Sequence, residues 1–216
     1  HGISVESRTA KSRSLLPFVS FVFSVVKKAS MSLNATEIAL VAQQLAQCCT
    51  GGRVRKVYGR TRDSIVLAAR ADCGNVFILL SAHPKLSRVH TLPERGDCPV
   101  RSPFVTALRY WLNDARVIGI EAIEGDRRLR LGFEGAASQC TLEAELFGIG
   151  SNLVLVAADG RVIESLHHVR GKTRTVMPGQ LYDPPPAVSP KLPESRFGDS
   201  PAQVDAAVRE HYEPRQ

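Results

Sequence analysis

The stretch "RVIGIEAIEGDRRLRLGFEG" (116–135) decides how the rest of the chain is read. Its two halves are short β-rich runs, and Gly125-Asp126 sits between them. Two such runs joined by a Gly/Asp turn predict an antiparallel hairpin. Asp tolerates the unusual backbone of a tight turn, so turn chemistry alone accounts for Asp126. The alternative is a functional acid–base pair, Asp126-Arg127, at the hairpin tip, although spacing alone favours the turn. Both readings stand on these residues alone.

Working outward, the same pattern recurs. "CTLEAELF" (140–147) and "SNLVLVA" (151–157) read as strands, and Asp159-Gly160 turns the chain into "RVIESLHHV" (161–169). If that last run is a strand, the rings of His167 and His168 point to opposite faces, and the six scattered histidines suggest no metal site. Upstream, "RVRKVY" (53–58), "SIVLAAR" (64–70) and "NVFILLSA" (75–82) form a meander around the turns "GRTRD" and "ADCG". Helical spacing precedes each meander. In 34–49, Asn34 and Glu37 make a capping box, and Ile38, Val41, Leu45 and Cys49 share a face. In 102–115, Ser102 caps, Pro103 suits the first turn, and Phe104, Leu108, Trp111 and Leu112 form an apolar stripe. Trp111 therefore reads as a core residue. Helix, meander, helix, meander predicts an α+β domain: an antiparallel β-sandwich-like sheet with two main helices.

Three regions follow. Residues 1–30 read as a non-native or targeting leader, because "LLPFVSFVFSVV" (15–26) is too short to span a bilayer and Met31 resembles a natural start. Residues 31–186 form the compact domain. Residues 187–216 continue a Pro-rich linker and begin a helical pattern at Val204, Val208 and Tyr212. The odd count of five cysteines lacks zinc-type spacing, so a reduced, cytoplasmic chain is expected.

The net charge of +7 is not spread evenly, since residues 1–30 supply +4 of it. Local clusters must therefore carry any nucleic-acid argument. Arg53, Arg55, Lys56, Arg60 and Arg62 form one cluster; Arg127, Arg128 and Arg130 a second; Arg170, Lys172 and Arg174 a third. Guanidinium forks suit phosphates, while a solvated sheet face explains the same charges equally well. The chain contains no phosphate-cradling Gly-rich loop and no nucleophile elbow, so a non-catalytic protein without cofactor is expected.

Four segments taken in order carry a resemblance: "MSLNATEIALVAQQLAQCCTGGRVRKVY", "RSPFVTALRYWLNDARVIGIEAIEGDRRLRLGF", "LEAELFGIGSNLVLVAADGRVIESLHHV" and "RTVMPGQLYDPPP". Together they resemble the NFACT N-terminal domain family, also labelled fibronectin-binding protein A N-terminal. The resemblance implies a fold similar to the N-terminal domain of formamidopyrimidine-DNA glycosylases. It also implies a role in ribosome-associated quality control. The partners would be tRNA and the large ribosomal subunit carrying a nascent peptidyl-tRNA. The activity supported would be untemplated C-terminal (alanine) tailing of the stalled chain, with neither membrane nor DNA as a partner.

The family's Asp-Arg motif maps onto Asp126 and Arg127, with Arg128 beside them. Asn34 stands where the family often has Asp. Ser151 and Asn152 keep part of a "GRxSN" pattern whose arginine is Ile149 here. Arg53, Arg55, Lys56, Arg170 and Arg174 complete the RNA-binding expectation. Full-length members continue into a helix-hairpin-helix segment, coiled coils and a second RNA-binding domain. Two other readings are a surface adhesin and a glycosylase-like DNA-binding domain. The first needs export. The second lacks the N-terminal proline nucleophile and zinc-finger cysteines that its catalysis requires.

Overall fold

The computed structural model describes residues 32–136 and 138–186. The readings made for 1–30 and 187–216 lie outside these residues. The elements are α1 (Ala35–Cys49), β1 (Arg53–Thr61), β2 (Ser64–Ala71), β3 (Gly74–Ser81), β4 (Arg88–Leu92), α2 (Pro103–Leu112), β5 (Arg116–Ala122), β6 (Arg128–Glu134), β7 (Gln139–Glu145), β8 (Asn152–Ala157), β9 (Val162–Ser165), β10 (Val169–Arg170) and β11 (Thr175–Val176). The α+β class and the antiparallel pairing are as expected.

Both helix starts follow local chemistry. Asn34 Oδ1 accepts the Glu37 N–H at 2.9 Å, and Glu37 returns a carboxylate to the Asn34 N–H at 2.8 Å. That reciprocal box satisfies two donors that a helix N-terminus leaves open. Ile38, Val41, Leu45 and Cys49 are buried, as their spacing predicts. Ser102 caps α2 through the Val105 N–H, and Phe104, Leu108 and Leu112 are buried with Trp111 packed against them. This helix stops three residues short of Ala115. Asp114 takes a left-handed φ of 61°, and its N–H turns to the Val54 carbonyl at 2.7 Å.

The strands form one nine-stranded sheet in the order β4-β3-β2-β1-β5-β6-β7-β8-β9, rather than two separate hydrogen-bonded layers. Its two meanders meet at β1 and β5, which share a single residue pair, Arg53↔Arg116. Short pairing of this kind lets the sheet bend instead of running flat. Helix α1 packs on β2 and β4 of one meander and β5 and β6 of the other, and α2 on β1 and the far edge β9. Both meanders therefore share one core, with Leu67, Leu80, Leu108, Leu131 and Leu142 all buried.

Three expectations change. A fourth strand, β4, extends the first meander beyond the three runs read from the sequence; it pairs in register with β3 (Leu80↔Val89) although its outer residues, Arg88 and His90, are polar. The run "RVIESLHHV" leaves the sheet after Ser165, because the Asn152 side chain takes both the N–H and the carbonyl of His167 (2.9 and 2.8 Å). His167 and His168 instead face Asp63 (3.6 Å) and Glu164 (2.6 Å). Finally, Cys48 and Cys73 form a disulfide with Cα atoms 5.8 Å apart, correcting the expectation of an unbridged chain. It ties the end of α1 to the β2–β3 turn, a proximity that only the packed sheet creates. Burial pushes the Cys49 and Cys140 thiols up to about 11, which makes them poor nucleophiles.

Candidate nucleic-acid interface

The β5–β6 hairpin closes as its sequence predicts, with the Asp126 N–H on the Ile123 carbonyl at 3.1 Å and Gly125 at a φ of 69°. Glycine adopts that backbone without steric cost. Asp126 does not project from the tip. It is 4% exposed. Its Oδ1 accepts the Arg127 N–H and its Oδ2 accepts Nε of Arg128, both at 2.7 Å. A buried carboxylate with two charge-assisted or backbone donors is a fixed orienting group.

Arg127 faces the other way. Its backbone carbonyl accepts the Leu146 N–H at 2.9 Å, extending the β6–β7 ladder past Arg128↔Glu145. Its guanidinium donates to the Phe147 carbonyl at 2.8 Å and lies 6.0 Å from the Phe147 ring centroid. These contacts hold a half-exposed arginine in one orientation.

The β7–β8 loop (146–151) completes this end of the sheet. Gly148 and Gly150 take φ values of 88° and 99°, and between them Ile149 is 92% exposed. Ser151 Oγ accepts the Gly148 N–H at 2.8 Å, and Asn152 also accepts the Leu153 N–H. Both side chains are buried and shape the loop. The β3–β4 segment lies alongside, where Ser87 Oγ donates to the Leu146 carbonyl at 3.1 Å. The Leu33 N–H in turn donates to the Ser87 carbonyl at 3.2 Å, which brings the Asn34 cap to the same end. Asn34, Asp126, Arg127, Arg128, Ser151 and Asn152 are thus gathered through one chain of contacts.

The remaining basic residues are not part of that group. Arg53 and Arg55 lie at the opposite end of β5, bonded to the Asp114 carbonyl (2.9 Å) and carboxylate (3.1 Å). Lys56 sits 5.6 Å from the Tyr58 ring centroid. Arg170 is exposed on β10. Arg174 makes a bidentate pair with Glu145, which is fully buried, and Tyr182 donates its hydroxyl to the same carboxylate at 2.8 Å. Burial, with the Glu145 and Glu143 carboxylates, raises the Tyr182 pKa and keeps the phenol a donor. This assembly clamps the 169–182 segment over Val154, Val156 and Val162. Sequence reasoning grouped Arg174 with phosphate binders because its acidic partner lies 29 residues away.

A cleft of about 670 Å³ that no sequence motif signals lies between the β1–β2 turn, the start of α2 and residues 164–168. Arg62, Arg101 and His167 line it. No short motif links those positions; only the packing of α2 on β9 brings them together.

Among the described residues, no helix is long and apolar enough to cross a membrane. The family model for NFACT N-terminal and middle domains matches residues 35–211. A Bacillus subtilis protein named Rqc2 homolog RqcH is 31% identical over 157 residues, 68% of this chain and 28% of its own length. Its Streptococcus pneumoniae namesake is 29% identical over 73% of this chain and 30% of its own. This chain thus spans about 30% of the length of such relatives. Among solved structures, the N-terminal domain of fibronectin-binding protein PavA from Streptococcus pneumoniae aligns with a TM-score of 0.69 and 26% identity, covering 75% of this chain and 65% of that one. The N-terminal part of the fibronectin/fibrinogen-binding protein from Streptococcus suis aligns with a TM-score of 0.66 and 29% identity, covering 70% and 61%. With a family model matched over most of its length and relatives aligned across the same sheet, this chain belongs to the family of NFACT N-terminal and middle domains.

Proposed function

We propose that this chain is a non-catalytic RNA-binding module of a ribosome-associated quality control factor. It engages tRNA on an obstructed large ribosomal subunit and supports C-terminal tailing of the stalled chain in the cytoplasm. The observation that carries this reading is the oriented Arg127. Buried Asp126 anchors the turn, and Phe147 holds the guanidinium half-exposed beside an outward loop. An arginine fixed in this way presents its remaining donors to a phosphate or base edge with less ordering to do on binding. The relatives' names support the cellular setting. A likeness of the sheet to the N-terminal domain of formamidopyrimidine-DNA glycosylases belongs to the same proposal.

The test is RNA captured from cells by the tagged chain and sequenced, for the parent and for Arg127→Ala. Enrichment of tRNA with the parent and its loss in the folded variant supports the reading; equal recovery removes Arg127 from it. Fibronectin binding is the second reading, motivated by the descriptions of the solved relatives. Saturable capture on immobilised fibronectin, with no RNA captured from cells, would favour it.

A further inference from the structure

We propose that the RNA path continues from the Arg127 turn onto the outer face of the first meander, where Arg60 and Arg95 clamp a phosphodiester. This rests on the RNA-binding reading and adds a second contact to it. Strand alternation sends Val57, Ile65, Leu67, Ile78, Leu80 and Val89 into the core, so Tyr58, Val66, Leu79 and His90 form a row on the opposite face. Residues 93–100 fold over that row, fastened by the Val100 N–H on the Gly59 carbonyl at 3.1 Å.

The fold-over places two guanidinium groups together. Arg95 lies 4.8 Å from the Tyr58 ring centroid, and Arg60 Nη2 lies 3.7 Å from where a Cβ on Gly96 would stand. Arg95 gives its Nε to the Gly96 carbonyl at 3.2 Å, leaving its outer nitrogens for a ligand. Neither arginine forms an ion pair among the described residues, and neither flanking acid, Glu94 or Asp97, bridges to them. Beneath them His90 is 8% exposed, and its buried Nδ1 has no hydrogen-bond partner. Its pKa falls to about 3 through burial and the nearby Arg88 and Arg60, so the ring is neutral. A cluster of cations over a neutral buried ring is self-repelling, and a phosphate relieves that repulsion.

The first contact reaches the same strand: Ser87, which bonds the Leu146 carbonyl beside Arg127, directly precedes Arg88.

The experiment measures affinity of the full chain for unmodified tRNA over a range of salt. Arg60→Ala/Arg95→Ala should bind at least about tenfold more weakly, with the log–log salt slope reduced by about 0.7–0.9, as expected for one lost phosphate contact. Arg60→Lys/Arg95→Lys should recover most of the slope, and Arg70→Ala/Arg116→Ala, which removes equal charge from exposed positions elsewhere, should change little. If the Arg60/Arg95 variant binds like the parent, or if Arg70→Ala/Arg116→Ala weakens binding as much, the clamp is overturned while RNA binding stands. If the parent itself binds no tRNA, both this inference and the functional reading fail.

Discussion

Asp126 and Arg128 form a buried ion pair, Oδ2 to Nε at 2.7 Å, with side chains only 4% and 10% exposed. The acid of the Asp-Arg turn is thus bonded to the second arginine after it, and the first arginine is left to face outward. Asp126→Ala strands a buried guanidinium and should destabilise the domain by about 3–5 kcal/mol. Replacing Asp126 and Arg128 together by apolar residues of similar size should recover much of that loss. Urea denaturation of the two variants measures the difference. A folded-state role for Asp126 means that its loss weakens RNA binding indirectly, so Arg127→Ala is the cleaner functional probe.

The Glu145–Arg174 pair makes a parallel case on the outer face. Glu145 is fully buried, and Arg174→Ala leaves its carboxylate with only the Tyr182 hydroxyl. A loss of about 3–5 kcal/mol is expected, against roughly 0.5 kcal/mol or less for the exposed neighbour Arg170→Ala. Thermal melting of both variants checks the contrast. Equal effects would contradict the structural role assigned to Arg174.

Asn152 replaces a missing strand partner by bonding both backbone groups of His167. Asn152→Ala leaves the His167 and Leu153 N–H groups without their partner, at about 1–3 kcal/mol, while the His167 carbonyl keeps the Ser165 hydroxyl at 3.1 Å. Hydrogen exchange should accelerate at the His167 amide before it does in β6 or β7. Unchanged protection there would show that the 165–168 bend is held by something else.

Buried His90 predicts acid-sensitive stability on the outer face of the first meander. Its folded pKa is about 3 against an ordinary value of 6.5. The unfolded chain therefore binds the proton first as pH falls. The contribution is fully present above pH 6.5 and is lost toward pH 3, at about 1.4 kcal/mol per pH unit. Carboxylates also titrate in this window, so the readout is the difference between parent and His90→Gln. The variant's stability should fall less steeply between pH 6 and about 4.

Much of this architecture was legible in the sequence because its signals are local. The Asn34–Glu37 box, the Ser102-Pro103 start and the Gly125-Asp126 turn each act within a few residues, and all three form as read. What stayed hidden depends on partners distant in the chain. Arg174 reads as a free base until β11 brings it to Glu145, and Cys73 as an unpaired thiol until the β2–β3 turn meets α1. Strand β4 has polar outward residues and so lacks a clear apolar pattern; its register with β3 defines it. The candidate site divides in the same way. The Asp-Arg turn is visible as a short motif, whereas the clustering of Arg60 with Arg95 requires the 93–100 segment to fold back over β1.

The most direct test of the account is the tRNA affinity of the full chain at several salt concentrations, parent against Arg127→Ala, with folding verified by melting temperature. The account predicts salt-sensitive binding by the parent and a loss of about 1–3 kcal/mol in the variant, the range for a charged hydrogen-bonding contact. Identical binding curves from two equally folded proteins would contradict the assignment of this turn as the RNA contact.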